Sequence, residues 1–317
     1  MEIPQELKNA IDNVIEENKN SIIIEESQKI SKKYRENEGK GKRLVTEEAE
    51  ALAYAISRMP STYSAVYSAL TQTIKNYDKE LQSVFDIGAG TGAATWAISN
   101  ILNTDKTTCF EREKEMRNIG QKLMKNSSLD YVTWKEFDLT KDEIDEKADL
   151  VVTSYVINEL SQEDRKKSII KMWNTCNKVL LIIEPGTPEG FKHIIEARDI
   201  LLAENANIIA PCAHNSKCPI NSEEDWCSFY VRVARSGLHR KAKKGELGYE
   251  DEKFSYIAFS KETIDNNVSR ILRHPQINQG YVKVKLCTTN GLEEKVYSKK
   301  DKEIYKKIRK LNAGDTI

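Results

Sequence analysis

Between residues 81 and 205, short apolar runs rich in β-branched residues alternate with longer stretches whose apolar positions recur at helical spacing. That alternation predicts a doubly wound parallel sheet. Strands are expected at 83–87, 106–110, 132–137, 148–154 and 178–184, with helices at 91–102, 113–125, 161–176 and 189–203. Ser161 followed by Asp164 forms a shortened capping box at the start of the third helix. Upstream, Leu7, Ile11, Val14 and Ile15 fall on one helix face, and residues 22–24 precede a charged stretch through Arg43. Thr46 with Glu47 and Glu48 reads as a helix start, Pro60 as the end of that helix near Met59, and 61–76 as a further helix. Residues 281–287 form a clean alternating strand near the end. Three regions are therefore expected: an N-terminal helical segment at 1–80, a doubly wound α/β domain at 81–205 and a partly β extension at 206–317.

The run at 84–98 concentrates the chemistry. Val84, Phe85, Asp86 and Ile87 lead into Gly88, Gly90 and Gly92, and a helix starts at Ala93. A strand, a glycine turn and a helix N-terminus together let a ligand approach free N–H groups. A strand–turn–helix that binds nothing is the plain alternative. A nucleoside-triphosphate loop is excluded, because no Gly-Lys-Ser/Thr follows the glycines. The Gly88-x-Gly90-x-x-Ala93 spacing also satisfies the dinucleotide fingerprint, so a dinucleotide oxidoreductase with a redox cluster is a weaker alternative. Two features favour S-adenosylmethionine. The Asp86-x-Gly88-x-Gly90-x-Gly92 form resembles the first motif of class I methyltransferases, and a zwitterionic methionine tail suits a carboxylate beside backbone N–H donors.

Ligands of such sheets bind beyond the strand carboxyl ends, where Glu111, Asp138, Ser154 and Glu184 also fall. Glu111 is placed to accept from ribose hydroxyls, and Asp138 from an adenine amino group. Tyr155, Asn158 and Glu159 sit where a methyl acceptor would meet the sulfonium. The Asn/Asp-Pro-Pro-aromatic signature of amino-group methyltransferases is replaced by Ser-Tyr-Val-Ile-Asn at 154–158, and no catalytic base is identified.

Charge changes the picture of the C-terminal third. The 49 basic and 49 acidic residues balance, yet residues 228–317 hold 20 Lys and Arg against 11 Asp and Glu, and the preceding residues 29 against 38. An anionic partner is expected at that end. Arg232, Arg235, Arg240, Lys241, Lys243, Lys244, Arg270 and Arg273, interleaved with aromatics, are the candidate RNA contacts. The sober rival is a salt-bridged surface against the acidic remainder. The opening Met-Glu-Ile-Pro-Gln-Glu resembles no signal or transit peptide and no apolar run approaches a membrane span, so a cytoplasmic location is expected. The sequence does not define the oligomeric state, for which a monomer is the default expectation.

Cys212, Cys218, Cys227 and Cys287 are separated by gaps of five, eight and fifty-nine residues. Their clustering and softness point to a bound metal, iron–sulfur or zinc. Cys109 and Cys176 read as core residues, and His214 as a hydrogen-bonded loop histidine.

Taken together, these pieces resemble the methyltransferase-like proteins associated with the mitochondrial small ribosomal subunit and their bacterial relatives. The matching runs are 58–63 (Arg-Met-Pro-Ser-Thr-Tyr), 85–92, 154–160 (Ser-Tyr-Val-Ile-Asn-Glu-Leu), 184–188, 210–219, 225–227 and 270–287. The resemblance implies a Rossmann-like domain that binds S-adenosylmethionine through Asp86, Gly88, Gly90, Gly92, Glu111, Asp138 and Ser154. It implies a [4Fe–4S] cluster carried by Cys212, Cys218, Cys227 and Cys287. It further implies action on the small ribosomal subunit and its rRNA, by methylation or by assisting assembly as a non-catalytic factor, here in a bacterial member.

Overall fold

The structure, a computed structural model, describes residues 1–16, 45, 47–235, 237, 240, 246–264 and 268–317. The expectations placed on residues 22–24, Arg43 and Thr46, and on Lys241, Lys243 and Lys244, fall outside them.

Among the described residues, three helices come first: α1 (Gln5–Glu16), α2 (Glu48–Ser57) and α3 (Met59–Ile74). Leu7, Ile11, Val14 and Ile15 are the buried face of α1. Pro60 does not so much stop α2 as start α3, sitting in its first turn, where a missing N–H costs nothing. Then β1 (Ser83–Ile87), α4 (Ala93–Ser99), β2 (Lys106–Glu111), α5 (Lys114–Met124), β3 (Thr133–Glu136), β4 (Ala148–Ser154), α6 (Gln162–Thr175), β5 (Cys176–Pro185) and α7 (Pro188–Ala203) alternate.

β3-β2-β1-β4-β5 lie side by side, all parallel. Their central members are almost wholly apolar, as strands covered on both faces must be. One face packs against α1–α5 around Trp96, Leu70 and Leu123, and the other against α6 and α7 around Trp173, Met172 and Leu201. The sheet is Rossmann-like and doubly wound.

It does not end at residue 205. β6 (Asn207–Ala210), β7 (Phe229–Ala234) and the long β8 (Tyr249–Ser260) belong to it, giving eight strands. β8 runs antiparallel to β5 and carries β6 and β7 on successive stretches. The boundary expected at 205 therefore falls inside one sheet. The segment that is separate begins at about residue 270: β9 (Arg270–Ile271), β10 (Gln276–Asn278), β11 (Tyr281–Thr288) and β12 (Gly291–Ser298) form a second antiparallel sheet. The helix α8 (Lys302–Ile308) closes it, burying Tyr305 and Ile308 against Val282, Val284 and Leu286. Among the described residues no helix is long and apolar enough to cross a membrane.

Candidate functional site

A cavity of about 310 Å³ opens at the carboxyl ends of β1, β2 and β4, within the range of small-molecule sites. Its floor is the glycine turn. Gly88, Gly90 and Gly92 all have positive φ, at 70°, 56° and 86°. At Gly88 a Cβ would also stand 2.4 Å from Val156 Cγ2, so both the turn and the close approach require glycine. Gly88, Gly90, Glu111, Asp138 and Ser154 line the cavity.

Asp86 and Gly92 do not line it. Asp86 is fully buried, and its Oδ2 accepts from Thr95 N (3.2 Å) and Thr95 Oγ1 (2.9 Å). The carboxylate that the sequence assigns to the ligand instead caps the first turn of α4, supplying the partner that Gly92, the N-cap, lacks. Burial pushes its pKa up to about 7 against the pull of the Thr95 hydrogen bonds. Gly92 sits behind the turn, where a Cβ would meet Met124 Cε at 2.4 Å.

Glu111 closes β2 with both oxygens placed. Oε2 accepts from Gly90 N (2.8 Å) and Oε1 from Glu113 N (2.7 Å). The bond to Gly90 fixes the turn relative to the next strand. Asp138 is held locally, its Oδ1 accepting from Thr140 N and Oγ1 and its Oδ2 beside Lys141 Nζ. Burial raises its carboxyl, but those hydrogen bonds outweigh it and the group ionises below the usual range. Phe137 and Leu139, on either side of it, add apolar wall.

The loop after β4 completes the site. Tyr155 holds φ at 60°, uncommon for a non-glycine, and its hydroxyl donates to Glu252 Oε1 at 2.9 Å. Asn158 Oδ1 is buried without a hydrogen-bond partner while its residue lines the cavity. Glu159 is pushed up to about 8 by burial first and by Glu111 second. Glu184 stands beneath, fully buried, accepting from Ile157 N.

Sequence reasoning gives the N-terminal helices no chemistry, yet Tyr54 and Arg58 line the cavity. Arg58 lies 3.8 Å from Glu252 and 6.0 Å from the Tyr155 ring centre. The signal was present: Arg58 opens one of the runs that carry the family resemblance.

A second, much smaller cavity of about 30 Å³ lies on the far side of β8 and is almost wholly apolar. Cys212, Cys218, Cys227 and Cys287 all line it. They arrive from the segment after β6, from the approach to β7 and from β11. Asp225 ties these together, since it pairs with Arg273 and, at 2.9 Å, with Lys285 of β11, while Trp226 Nε1 donates to Gly186 O. Burial holds all four thiols above their ordinary pKa; for Cys227 the other three add to it. Among the described residues no group of three or more His, Cys, Asp or Glu is arranged to hold a metal ion. His214 bonds locally to Ser216, its ring 3.9 Å from Cys287 Sγ.

The basic candidates separate. Arg270 is completely buried and cannot reach RNA. Its Nε donates to Pro211 O (2.9 Å) and its Nη1 to Gly314 O (2.7 Å) and Gln72 Oε1 (3.1 Å), so it locks three segments together. Arg235 is held in a part-buried pair with Glu250 (2.7 Å), Arg273 by Asp225, and Arg232 by Asp251 (2.8 Å) over the Tyr249 ring. Arg232 and Arg240 are exposed; Lys241, Lys243 and Lys244 lie outside the described residues.

Comparison with known proteins adds ancestry. The human ribosome assembly protein METTL17, mitochondrial, is 24% identical over 298 residues, covering 85% of this chain and 63% of the relative. The Schizosaccharomyces pombe Rsm22-cox11 tandem protein 2, mitochondrial, is 25% identical over 324 residues, covering 84% of this chain and 43% of its own length. The chain thus spans less than two thirds of either relative. Among solved structures, the N-methyltransferase NodS of Bradyrhizobium japonicum with S-adenosylhomocysteine aligns with a TM-score of 0.44 and 11% identity, over 75% of this chain and 99% of NodS. The family model described as mitochondrial small ribosomal subunit Rsm22 matches residues 48–317, from the start of α2 through the second sheet and past α8, and the chain belongs to the Rsm22 family.

Proposed function

We propose that the larger cavity binds S-adenosylmethionine, and that the chain is a methyltransferase-like protein acting on the small ribosomal subunit. The observation that carries this reading is the cavity at the strand ends, floored by positive-φ glycines and walled by carboxyl groups. Glu111, Glu113, Glu159 and Asp138 outnumber Arg58 and Arg112 around it, which favours a cationic ligand such as a sulfonium. The residues fit the cofactor. Each Glu111 oxygen spends one lone pair on a backbone N–H and keeps another for a ribose hydroxyl. Phe137 and Leu139 offer apolar contact to a base, and the unpartnered Asn158 Oδ1 offers an acceptor. Bound there, the cofactor supplies an electrophilic methyl group on a positively charged sulfur. Tyr155, Asn158 and Glu159 would then position the acceptor.

A second reading is a non-catalytic assembly factor that uses the cofactor to hold one conformation. It is favoured by the Tyr155–Glu252–Arg58 arrangement, which occupies the acceptor side with contacts of the chain's own. In either case the relatives' names support the small ribosomal subunit as partner. RNA contact is proposed for Arg232 and Arg240, with Lys241, Lys243 and Lys244.

We also propose that Cys212, Cys218, Cys227 and Cys287 hold a [4Fe–4S] cluster, with zinc as the competing occupant. Four soft donors on one apolar cavity support this. A bound cluster would supply cross-links between β11 and the edge of the large sheet.

Calorimetry with S-adenosylmethionine and S-adenosylhomocysteine tests the reading directly. Saturable one-site binding that Glu111→Gln weakens tenfold or more supports it, and no binding by the intact chain refutes it. Small-subunit maturation that survives Glu111→Gln, with every methyl mark retained, would eliminate the enzyme reading.

A further inference from the structure

The cysteine cavity has an electrostatic feature that its thiols do not explain. Arg198, on α7, is 1% exposed and lines it. Arg270, on β9, is 0% exposed and donates to the carbonyl of Pro211, next to Cys212. Two guanidinium groups are therefore buried beside four neutral thiols. Among the described residues Arg270 pairs with no carboxylate, and the carboxylate nearest Arg198 is the outward Asp199 at 3.7 Å. The carbonyls of His214 and Ser216 accept from Arg198 Nη2, but Arg198 Nε and Arg270 Nη2 are buried with no partner at all.

Burying a cation and leaving its N–H groups unsatisfied is costly unless a negative charge compensates it. Neutral thiols provide none. Four thiolates on a metal centre do, because a Cys₄-bound zinc or a [4Fe–4S] centre with four thiolates carries net negative charge. Arg198 lines the cavity itself, and Arg270 reaches the carbonyl of the residue that precedes Cys212. Arg198 lines the same cavity as Cys212, Cys218 and Cys287, and its charge opposes the upward push that burial gives all three thiols.

We propose that Arg198 is the charge-compensating residue of this cavity, holding an anionic thiolate-bound metal group through its orphaned N–H, with Arg270 as the second cation. This rests on the reading that the four cysteines share one metal group. It adds that α7, which contributes no cysteine, sets the stability and potential of that group. A strut that merely ties α7 to the loop at 214–216 would leave the potential unchanged.

The test uses the full chain, reconstituted anaerobically with ferrous iron and sulfide, or with zinc. Arg198→Gln removes the charge at nearly constant reach, and Arg198→Lys keeps it. Iron and sulfide content, retention against a chelator and the midpoint potential are measured, with apo-protein melting as the folding control. The expected result is tenfold or greater disfavouring of the reduced cluster in Arg198→Gln, 59 mV for a one-electron couple, with faster iron loss. Arg198→Lys should stay close to the parent. Should only zinc load, its retention is the readout, with the same order of variants. A loaded Arg198→Gln protein with parental potential and metal retention overturns the charge-compensating role while leaving the metal reading intact. If Arg198→Gln does not fold, an Arg198→Lys protein that loses metal as fast as Arg270→Gln overturns it instead. A parent chain that takes up neither metal, checked against Cys227→Ser, overturns the metal reading and this inference with it.

Discussion

The two cavities differ in nearly every physical respect. The one above β1, β2 and β4 is about 310 Å³, lined by carboxyl groups and tied together by backbone hydrogen bonds. The one beyond β8 is about 30 Å³, lined by apolar side chains and thiols, and flanked by buried cations. The first is preformed and roomy, as suits a ligand that comes and goes. The second is tight and almost wholly apolar apart from its thiols and Arg198, as suits a resident group that joins segments. Acidic walls beside one and buried guanidiniums beside the other favour occupants of opposite charge. β8 lies between them, with Glu252 facing the acceptor side of the first and Tyr256 lining the second.

The sharpest way to break this contrast is at the cysteines. Cys212→Ser and Cys287→Ser should each abolish metal uptake and lower the melting temperature of the C-terminal segments, since ligation contributes folding free energy on the order of 10 kcal/mol in small metal domains. Unchanged melting of both metal-reconstituted variants would show that the cavity is closed by packing alone. Arg270→Met comes next. It leaves three acceptors of a buried hub without their donor and should cost about 1–3 kcal/mol in denaturant unfolding of the ligand-free protein, with no specific loss of RNA affinity. Gly88→Ala should cost about 1–3 kcal/mol of stability, because it forces a side chain to positive φ against Val156, and should abolish ligand binding in calorimetry.

A smaller effect sharpens the charge argument. Glu159 ionises only near pH 8 when no ligand is bound, because burial and Glu111 disfavour the carboxylate. A cation bound beside it favours the ionised form, so S-adenosylmethionine affinity should rise between pH 6 and 9, more than that of the neutral S-adenosylhomocysteine. Glu159→Gln should flatten that rise. The same raised pKa means that the ligand-free fold loses stability as pH climbs from the unfolded carboxyl range to about 8, and Glu159→Gln should remove part of this loss in thermal melts. The least effect is expected of Arg232→Ala. Its exposed pair with Asp251 is screened by solvent, so folding should barely change while RNA affinity and its salt dependence fall modestly.

The sequence by itself determined what depends on near neighbours. The β1 strand, the glycine turn and the start of α4 are contiguous, so one run of fifteen residues specifies them through propensity and allowed φ. The parallel order follows from the alternation of strands and helices, and Cys212, Cys218 and Cys227 stand out by clustering alone. Tertiary structure decided the rest. Asp86 reads as a ligand because it ends a strand before glycines, but only the packing of α4 on β1 shows that it is buried, with Oδ2 accepting from Thr95. Arg270 reads as a phosphate contact because it lies in a basic stretch, but strand pairing between β9 and β11 turns it inward to Pro211 and Gly314. The end of the sheet was hidden because β8, at 249–260, inserts between β5 and β6, a pairing between residues some 75 positions apart. Arg198 sits on an ordinary amphipathic helix, and nothing in its neighbours signals the thiols it faces. Local chemistry is written along the chain; the partner of a buried charge is set by which distant segments the core brings together.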